Sequence, residues 1–96
     1  MDIDQAVQNA IAFAARSLGP ERTANIRLEE IDSSAIGDQP VWLITLSSEL
    51  YPANPLRAYA VSLGADSQRE YKVFAVTKDT GEVLSMKIRM LATPGA

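Results

Sequence analysis

The amino-acid sequence predicts a small α+β domain in which an N-terminal helix packs on an antiparallel sheet of three to four strands. Three features carry this prediction: a first segment with helical apolar spacing, a middle strand with two apolar faces, and a strand–turn–strand pattern in the last third. The 96 residues suit a single domain spanning 1–96.

The helix is predicted over residues 3–18. Asp2 is placed to cap its first turn, with Gln5 three residues later in the capping-box arrangement. Gly19 and Pro20 end it, because Gly adopts a left-handed conformation readily and Pro cannot continue a helix. The apolar stripe expected to face the sheet consists of Ile3, Val7, Ala10, Ile11, Ala14 and Leu18, with Ala6 and Phe13 beside it.

Two strands are predicted to follow the helix. Residues 26–36 form the first, with a bulge near Glu29 or Glu30 because the apolar alternation changes phase there. A turn over residues 37–40 leads to the second strand, residues 41–48. This second strand is expected to be central and covered on both sides, since each face is partly apolar: Trp42, Ile44 and Leu46 on one, Val41, Leu43 and Thr45 on the other.

The last third of the chain, residues 69–88, predicts a hairpin. Asp79-Thr80-Gly81 fits a three-residue loop whose Gly takes the positive φ of a bulge. Placing Lys78 opposite Glu82 gives the cross-strand pairs Val76–Leu84, Phe74–Met86 and Lys72–Ile88. The predicted core is Ile3, Val7, Ile11, Phe13, Leu18, Trp42, Ile44, Leu46, Phe74, Val76, Leu84, Met86 and Ile88.

The segment of residues 49–68 is expected to be an insertion. Asn54, Pro55 and Gly64 fit the start and end of a short helix over 55–63, while the alternation of the same residues leaves an extra strand open. The segment either covers the second sheet face or presents a binding surface on its outer side. The residues predicted to bind a partner are Tyr51, Leu56, Arg57 and Tyr59, which are residue types common at interfaces.

Composition argues against several kinds of chemistry. The chain has no Cys and no His, so it lacks the commonest metal ligands and the commonest general base. Glu29, Glu30 and Asp32 are expected on a solvated edge with the two glutamates on opposite faces, and no serine has a nucleophile-elbow context. No catalytic residue, metal or cofactor is therefore expected, although a Ser/Lys pair stays open.

Charge and hydropathy bear on location and partners. The net charge is −3 and no basic patch is visible, so nucleic acid is not an expected partner. The start of the chain is acidic rather than basic, and no apolar run is long enough to cross a membrane. The sequence thus predicts a cytoplasmic protein that does not bind membranes, while a mature secreted protein whose leader has been removed fits the same pattern.

Three short motifs resemble the PepSY-like domains, whose fold is cystatin-like. They are Pro40-Val41-Trp42, Tyr71-Lys72-Val73 and Thr80-Gly81-Glu82-Val83, in the family's order of helix, strands and hairpin. The resemblance covers most of the chain outside 49–68, and it implies a protein-binding role in peptidase control or envelope sensing. Thr77 stands where the family often has Asp, the family is mostly secreted or membrane-attached, and the Gln-x-Val-x-Gly loop of cystatin inhibitors is absent.

The leading prediction is a non-enzymatic interaction module, regulatory or inhibitory, that binds a protein partner or a second copy of itself. The alternative is a small-molecule binding domain with a pocket between helix and sheet. An enzyme using carboxylates or a Ser/Lys pair is the third and weakest hypothesis.

Overall fold

The N-terminal helix has the predicted bounds in this computed structural model, which describes residues 2–49, 63 and 69–89. Helix α1 runs Ile3–Leu18, and Asp2 Oδ1 accepts a hydrogen bond from the Gln5 backbone N at 2.8 Å. At the other end Gly19 takes a φ of +82° and its N–H donates to Ala15 O. The predicted Asp2 cap and the predicted end at Gly19 are therefore confirmed, whereas the Gln5 side chain donates to Asn9 Oδ1 instead of closing the predicted capping box.

Among the described residues, four antiparallel strands follow in the order β1-β2-β3-β4. They are β1 Ala24–Ile36, β2 Gln39–Glu49, β3 Arg69–Thr77 and β4 Val83–Ile88. A two-residue turn at Gly37-Asp38 joins β1 to β2, and Gly37 has the positive φ of +59° that such tight hairpins need at this position. The predicted turn was too long at this point, because Gln39 and Pro40 already pair within β2. The α+β class and the helix-on-sheet arrangement are confirmed.

Helix α1 packs on the sheet through alanines. Ala6, Ala10 and Ala14 are fully buried, whereas Ile3 keeps 39% of its surface exposed. Small side chains let the helix backbone approach the sheet closely, so the larger side chains lie on either side of the contact line instead of on it. Val7, Ile11, Phe13 and Leu18 are accordingly only partly buried against the core.

The core lies between α1 and the two central strands. Ile44, Leu46, Phe74 and Val76 are buried there, and the rings of Phe13 and Phe74 meet edge to face with centroids 6.3 Å apart. Ile3, at 39% exposed, is wrong as a predicted core residue, and two further predicted core residues are wrong: Leu84 is 39% exposed and Ile88 is 67% exposed. Both belong to β4, an edge strand that the helix covers less than it covers β2 and β3.

The β3–β4 loop has four residues, Lys78–Gly81, where the sequence predicted three. Thr77 N donates to Glu82 O and Gly81 N donates to Thr77 O, so Thr77 pairs with Glu82 and Lys78 does not. The cause is the buried Thr77 hydroxyl, which accepts from the Thr80 and Glu82 backbone N atoms and holds the loop together.

The longer loop shifts the register of β4 by one residue near the turn. Val76 consequently pairs with Val83, and the predicted Val76–Leu84 pair is wrong. An irregularity after this pair absorbs the extra residue, so the predicted pairs Phe74–Met86 and Lys72–Ile88 are confirmed. Gly81 takes the predicted positive φ, at +75°.

Candidate interaction surfaces

The residues predicted to bind a partner, Tyr51, Leu56, Arg57 and Tyr59, lie outside the described residues, and so does the helix or strand expected over 55–63. The described residues present three other surfaces that bear on function. They are the sheet face opposite α1, a groove beside α1, and the free edge of β4.

The sheet face opposite α1, called here the second face, is buried along the central strands. Val41, Thr45 and Ser47 of β2 are almost fully buried, as is Thr77 of β3. Because Ile44 and Leu46 on the α1 side are buried too, β2 is covered on both sides as predicted.

Two arginines cross the second face and satisfy its polar groups. Arg69 Nε donates to Ser47 Oγ at 2.9 Å, and Ser47 Oγ donates in turn to Glu29 Oε1 at 3.2 Å. Arg89 Nη1 donates to Thr45 Oγ1 at 3.1 Å and lies 3.2 Å from Glu30 Oε2. Both arginines thus bond a buried hydroxyl group of β2, and each of these networks reaches an acidic residue of β1.

The bulge in β1 brings the acidic residues to this same face. Leu28 pairs with Leu46 and Glu30 with Thr45, so Glu29 is the extra residue and the predicted bulge is confirmed. The expectation that Glu29 and Glu30 lie on opposite faces is wrong, since both contact second-face groups. Within 2–49, 63 and 69–89, no group of three or more acidic residues is placed to hold a metal ion.

A partly buried ion cluster lies on the α1 side of β3, where sequence reasoning placed none. The Lys72 ammonium donates to Glu70 Oε1, and Arg22 Nη2 lies 2.8 Å from the same oxygen. Burial alone would raise the pKa of the Glu70 carboxyl, but the hydrogen bond and charge of Lys72, with Arg22 adding to them, lower it below its usual range. Glu70 Oε2 is buried with no hydrogen-bond partner.

A signal for this cluster was present in the sequence. Glu70 and Lys72 share the parity of Phe74 and Val76, so the strand alternation places both charges on the apolar face. A Lys and a Glu two residues apart on one buried face are expected to pair, because an isolated buried charge is costly.

A groove of about 350 Å³ opens between α1 and the start of β4. Phe13 and Val83 provide apolar surface there, and Arg16 and Glu82 provide charges of opposite sign. Asn9 Nδ2 donates to Gly81 O at 2.9 Å and so fixes the helix to the loop at one wall. Neither Arg16 nor Glu82 forms an ion pair within the described part of the chain.

Trp42 is covered by a lysine and does not offer an open stacking surface. Lys78 Nζ lies 4.1 Å from the centroid of the Trp42 ring, in cation–π geometry, and also contacts Ser33 Oγ. The Lys78–Ser33 contact is one contact of the Ser/Lys type that the sequence left open. It is exposed and lies outside the groove, and the ammonium is the donor.

The outer edge of β4 is free of any strand among the described residues, where β3 is its one neighbour. Leu84 and Ile88 project from it with the exposures given above, and Lys87 between them is also exposed. Lys87 forms no ion pair with another described residue. An exposed apolar edge of this kind is a template for another strand.

No protein-family model, curated protein or solved structure matches the chain. The PepSY-like resemblance therefore stays a prediction from the three motifs. In the described part of the chain, no helix is long and apolar enough to cross a membrane.

Proposed function

We propose that this domain is a non-catalytic protein-interaction module whose free β4 edge binds a partner. The observation that carries the proposal is the exposed pair Leu84 and Ile88 on a strand whose outer side pairs with no other described strand. Strand addition at such an edge supplies backbone hydrogen bonds for affinity and side-chain contacts for specificity. A regulatory role in the manner of the PepSY-like domains is consistent with it.

Matched variants at the two sheet edges test the proposal. Leu84→Ser/Ile88→Ser removes the apolar side chains of the β4 edge. Leu28→Ser/Ile36→Ser is the control, because these β1-edge side chains are 46% and 49% exposed and so lose similar apolar surface. A partner isolated from the native lysate and then purified should bind the β4 variant roughly tenfold more weakly or worse, given the apolar area involved, and the control unchanged.

A third variant, Tyr51→Ala/Tyr59→Ala, separates this surface from the one predicted for the 49–68 segment. If binding is lost in the tyrosine variant and kept in the β4 variant, the β4 edge is the wrong surface. If the purified wild-type domain binds no purified protein saturably, the interaction-module proposal is wrong.

The groove beside α1 favours small-molecule binding as a second candidate function. Its volume falls within the range of small-ligand sites. Arg16 can bind an anionic group of a ligand and Glu82 a cationic group, with apolar surface in the same groove. A zwitterionic or carboxylate ligand at about 100 times its Kd should stabilise the fold by about 2.7 kcal/mol. Thermal unfolding against a panel of such compounds measures this, with Arg16→Ala removing the effect and Arg27→Ala, an exposed arginine outside the groove, retaining it. A panel with no shift contradicts this candidate.

A further inference from the structure

The backbone of β4 presents hydrogen-bonding groups outward at its apolar positions. Arg89 N donates to Tyr71 O at 2.9 Å, so the polar backbone groups of Arg89 point inward to β3. The direction of the backbone hydrogen-bonding groups alternates along an antiparallel strand. The backbone N–H and C=O of Lys87 therefore also point towards β3, while those of Met86 and Ile88 point away from it. The N–H and C=O groups of Met86 and Ile88 are the ones that a new strand would bond.

The side chains of β4 form two rows with different chemistry. Met86 and Ile88 pair with Phe74 and Lys72 and so lie on the α1 side, where Met86 packs against the core and Ile88 is exposed. Lys87 pairs with Val73 on the second face. A residue added opposite Lys87 would occupy a non-hydrogen-bonded position, where cross-strand side chains come closest.

A second copy of β4 fits this edge poorly. Antiparallel self-pairing centred on Lys87 places two ammonium groups directly opposite each other, which is destabilising. If the self-pairing is centred on Met86 instead, Ile88 of one copy lies opposite the irregular Leu84 position of the other. Lys87 and Arg89 of both copies then lie near one another, and β4 supplies no carboxylate to neutralise them. A lysine and a bulge on an edge strand are devices that oppose self-association.

We propose that the β4 edge binds an extended partner segment in which apolar residues alternate with Asp or Glu, with one carboxylate opposite Lys87. This inference rests on the proposed function and names the chemistry of the partner. The apolar residues continue the row of Met86 and Ile88, and the carboxylate pairs with the cation that no described residue neutralises. Because opposite charges attract across a strand pair, this register is favoured over registers that place another residue opposite Lys87.

Two labelled peptides test the proposal by fluorescence anisotropy at low salt. Both are blocked nine-residue peptides with Val or Ile at alternate positions; one has Glu at the positions between, and the other has Lys. The Glu peptide should bind the wild-type domain saturably and at least about fivefold more tightly than the Lys peptide, from the difference between an attractive and a repulsive cross-strand pair. Equal affinities would overturn the proposal.

Three variants place the binding on β4. Lys87→Glu should reverse the preference between the peptides, while Arg16→Glu, with the same change in net charge on α1, should keep it. Ile88→Pro removes an outward N–H that β3 does not use, so it should weaken the Glu peptide without changing the unfolding midpoint. A reversal by Arg16→Glu, or full binding by Ile88→Pro, would overturn the proposal.

Different results would refute the acidic-segment proposal and the interaction-module proposal. If the purified partner is lost in Leu84→Ser/Ile88→Ser but neither peptide binds, the acidic-segment proposal is wrong and the interaction module stands. If sedimentation shows a wild-type dimer that Ile88→Pro abolishes, the edge pairs with a second copy and the acidic-segment proposal is overturned.

Discussion

Phe74→Ala is expected to lower the free energy of unfolding by about 3–5 kcal/mol. The Phe74 side chain is almost fully buried at the centre of β3, between the alanines of α1 and its neighbours Ile44 and Met86. Its removal leaves a cavity and also ends the edge-to-face contact with Phe13. This loss is a large share of the about 5–15 kcal/mol that stabilises a typical domain. Urea denaturation followed by circular dichroism measures it.

Leu84→Ala provides the control for Phe74→Ala on the neighbouring strand. Leu84 is partly exposed and has lost its predicted pairing with Val76, so its truncation should cost about 1 kcal/mol or less. Met86→Ala should fall between the two, because Met86 pairs with Phe74 but is only partly buried. Equal losses for Phe74→Ala and Leu84→Ala would contradict the register of this hairpin.

The hairpin shows how far apolar alternation predicts a register. The pairs Phe74–Met86 and Lys72–Ile88 follow from the period of two and are present. The loop is longer than predicted because Thr77 accepts backbone hydrogen bonds through its hydroxyl, a local interaction that a turn pattern with a terminal Gly does not contain.

The ends of α1 could be predicted from the sequence, whereas the line along which α1 contacts the sheet could not. Capping chemistry and Gly19-Pro20 are local, and they predicted both ends of α1. Which side of the stripe touches the sheet depends on how closely the helix approaches, and the alanines decide this because their side chains are small. The predicted stripe contained alanines, but the predicted core took only the larger apolar residues of α1, so it included Ile3, which is 39% exposed, and left out the buried alanines.

The candidate surfaces were largely missing from the sequence-based predictions for one physical reason. Leu84 and Ile88 alternate as core residues do, and only the strand order shows that β4 is an edge. An edge is a property of the whole sheet, so strand periodicity cannot reveal it. The groove likewise depends on where α1 meets the β3–β4 loop, through Asn9 and Gly81.

Lys72→Met is expected to lower the free energy of unfolding at pH 7 by about 2–3 kcal/mol, because it removes the main partner of a mostly buried carboxylate. The loss should fall short of that for a fully buried pair, since Glu70 keeps Arg22 at 2.8 Å. Lys87→Met is the matched control. The Lys87 side chain is exposed and without an ion pair in the described structure, so the same substitution there should change stability by about 0.5 kcal/mol or less.

The pH dependence identifies the cause of that loss. In the wild type the pKa of Glu70 is lowered, so its stabilising contribution is complete above the pKa of a free glutamate, about 4.3, and is lost as the pH falls through the lower folded-state value. Without Lys72, burial is opposed only by the half-exposed Arg22, and the pKa of Glu70 is expected to rise above that of a free glutamate.

A raised pKa means that the folded variant binds a proton more readily than the unfolded chain. The deficit of Lys72→Met should therefore shrink as the pH falls from 7 towards 5. Glu70→Gln/Lys72→Met, which removes both charges, should recover much of the lost stability and differ from the wild type by a constant amount over this range. Urea denaturation at each pH measures the deficit, and a Lys72→Met deficit equal at pH 7 and pH 5 would show that lost packing, and not the uncompensated Glu70 charge, destabilises the variant.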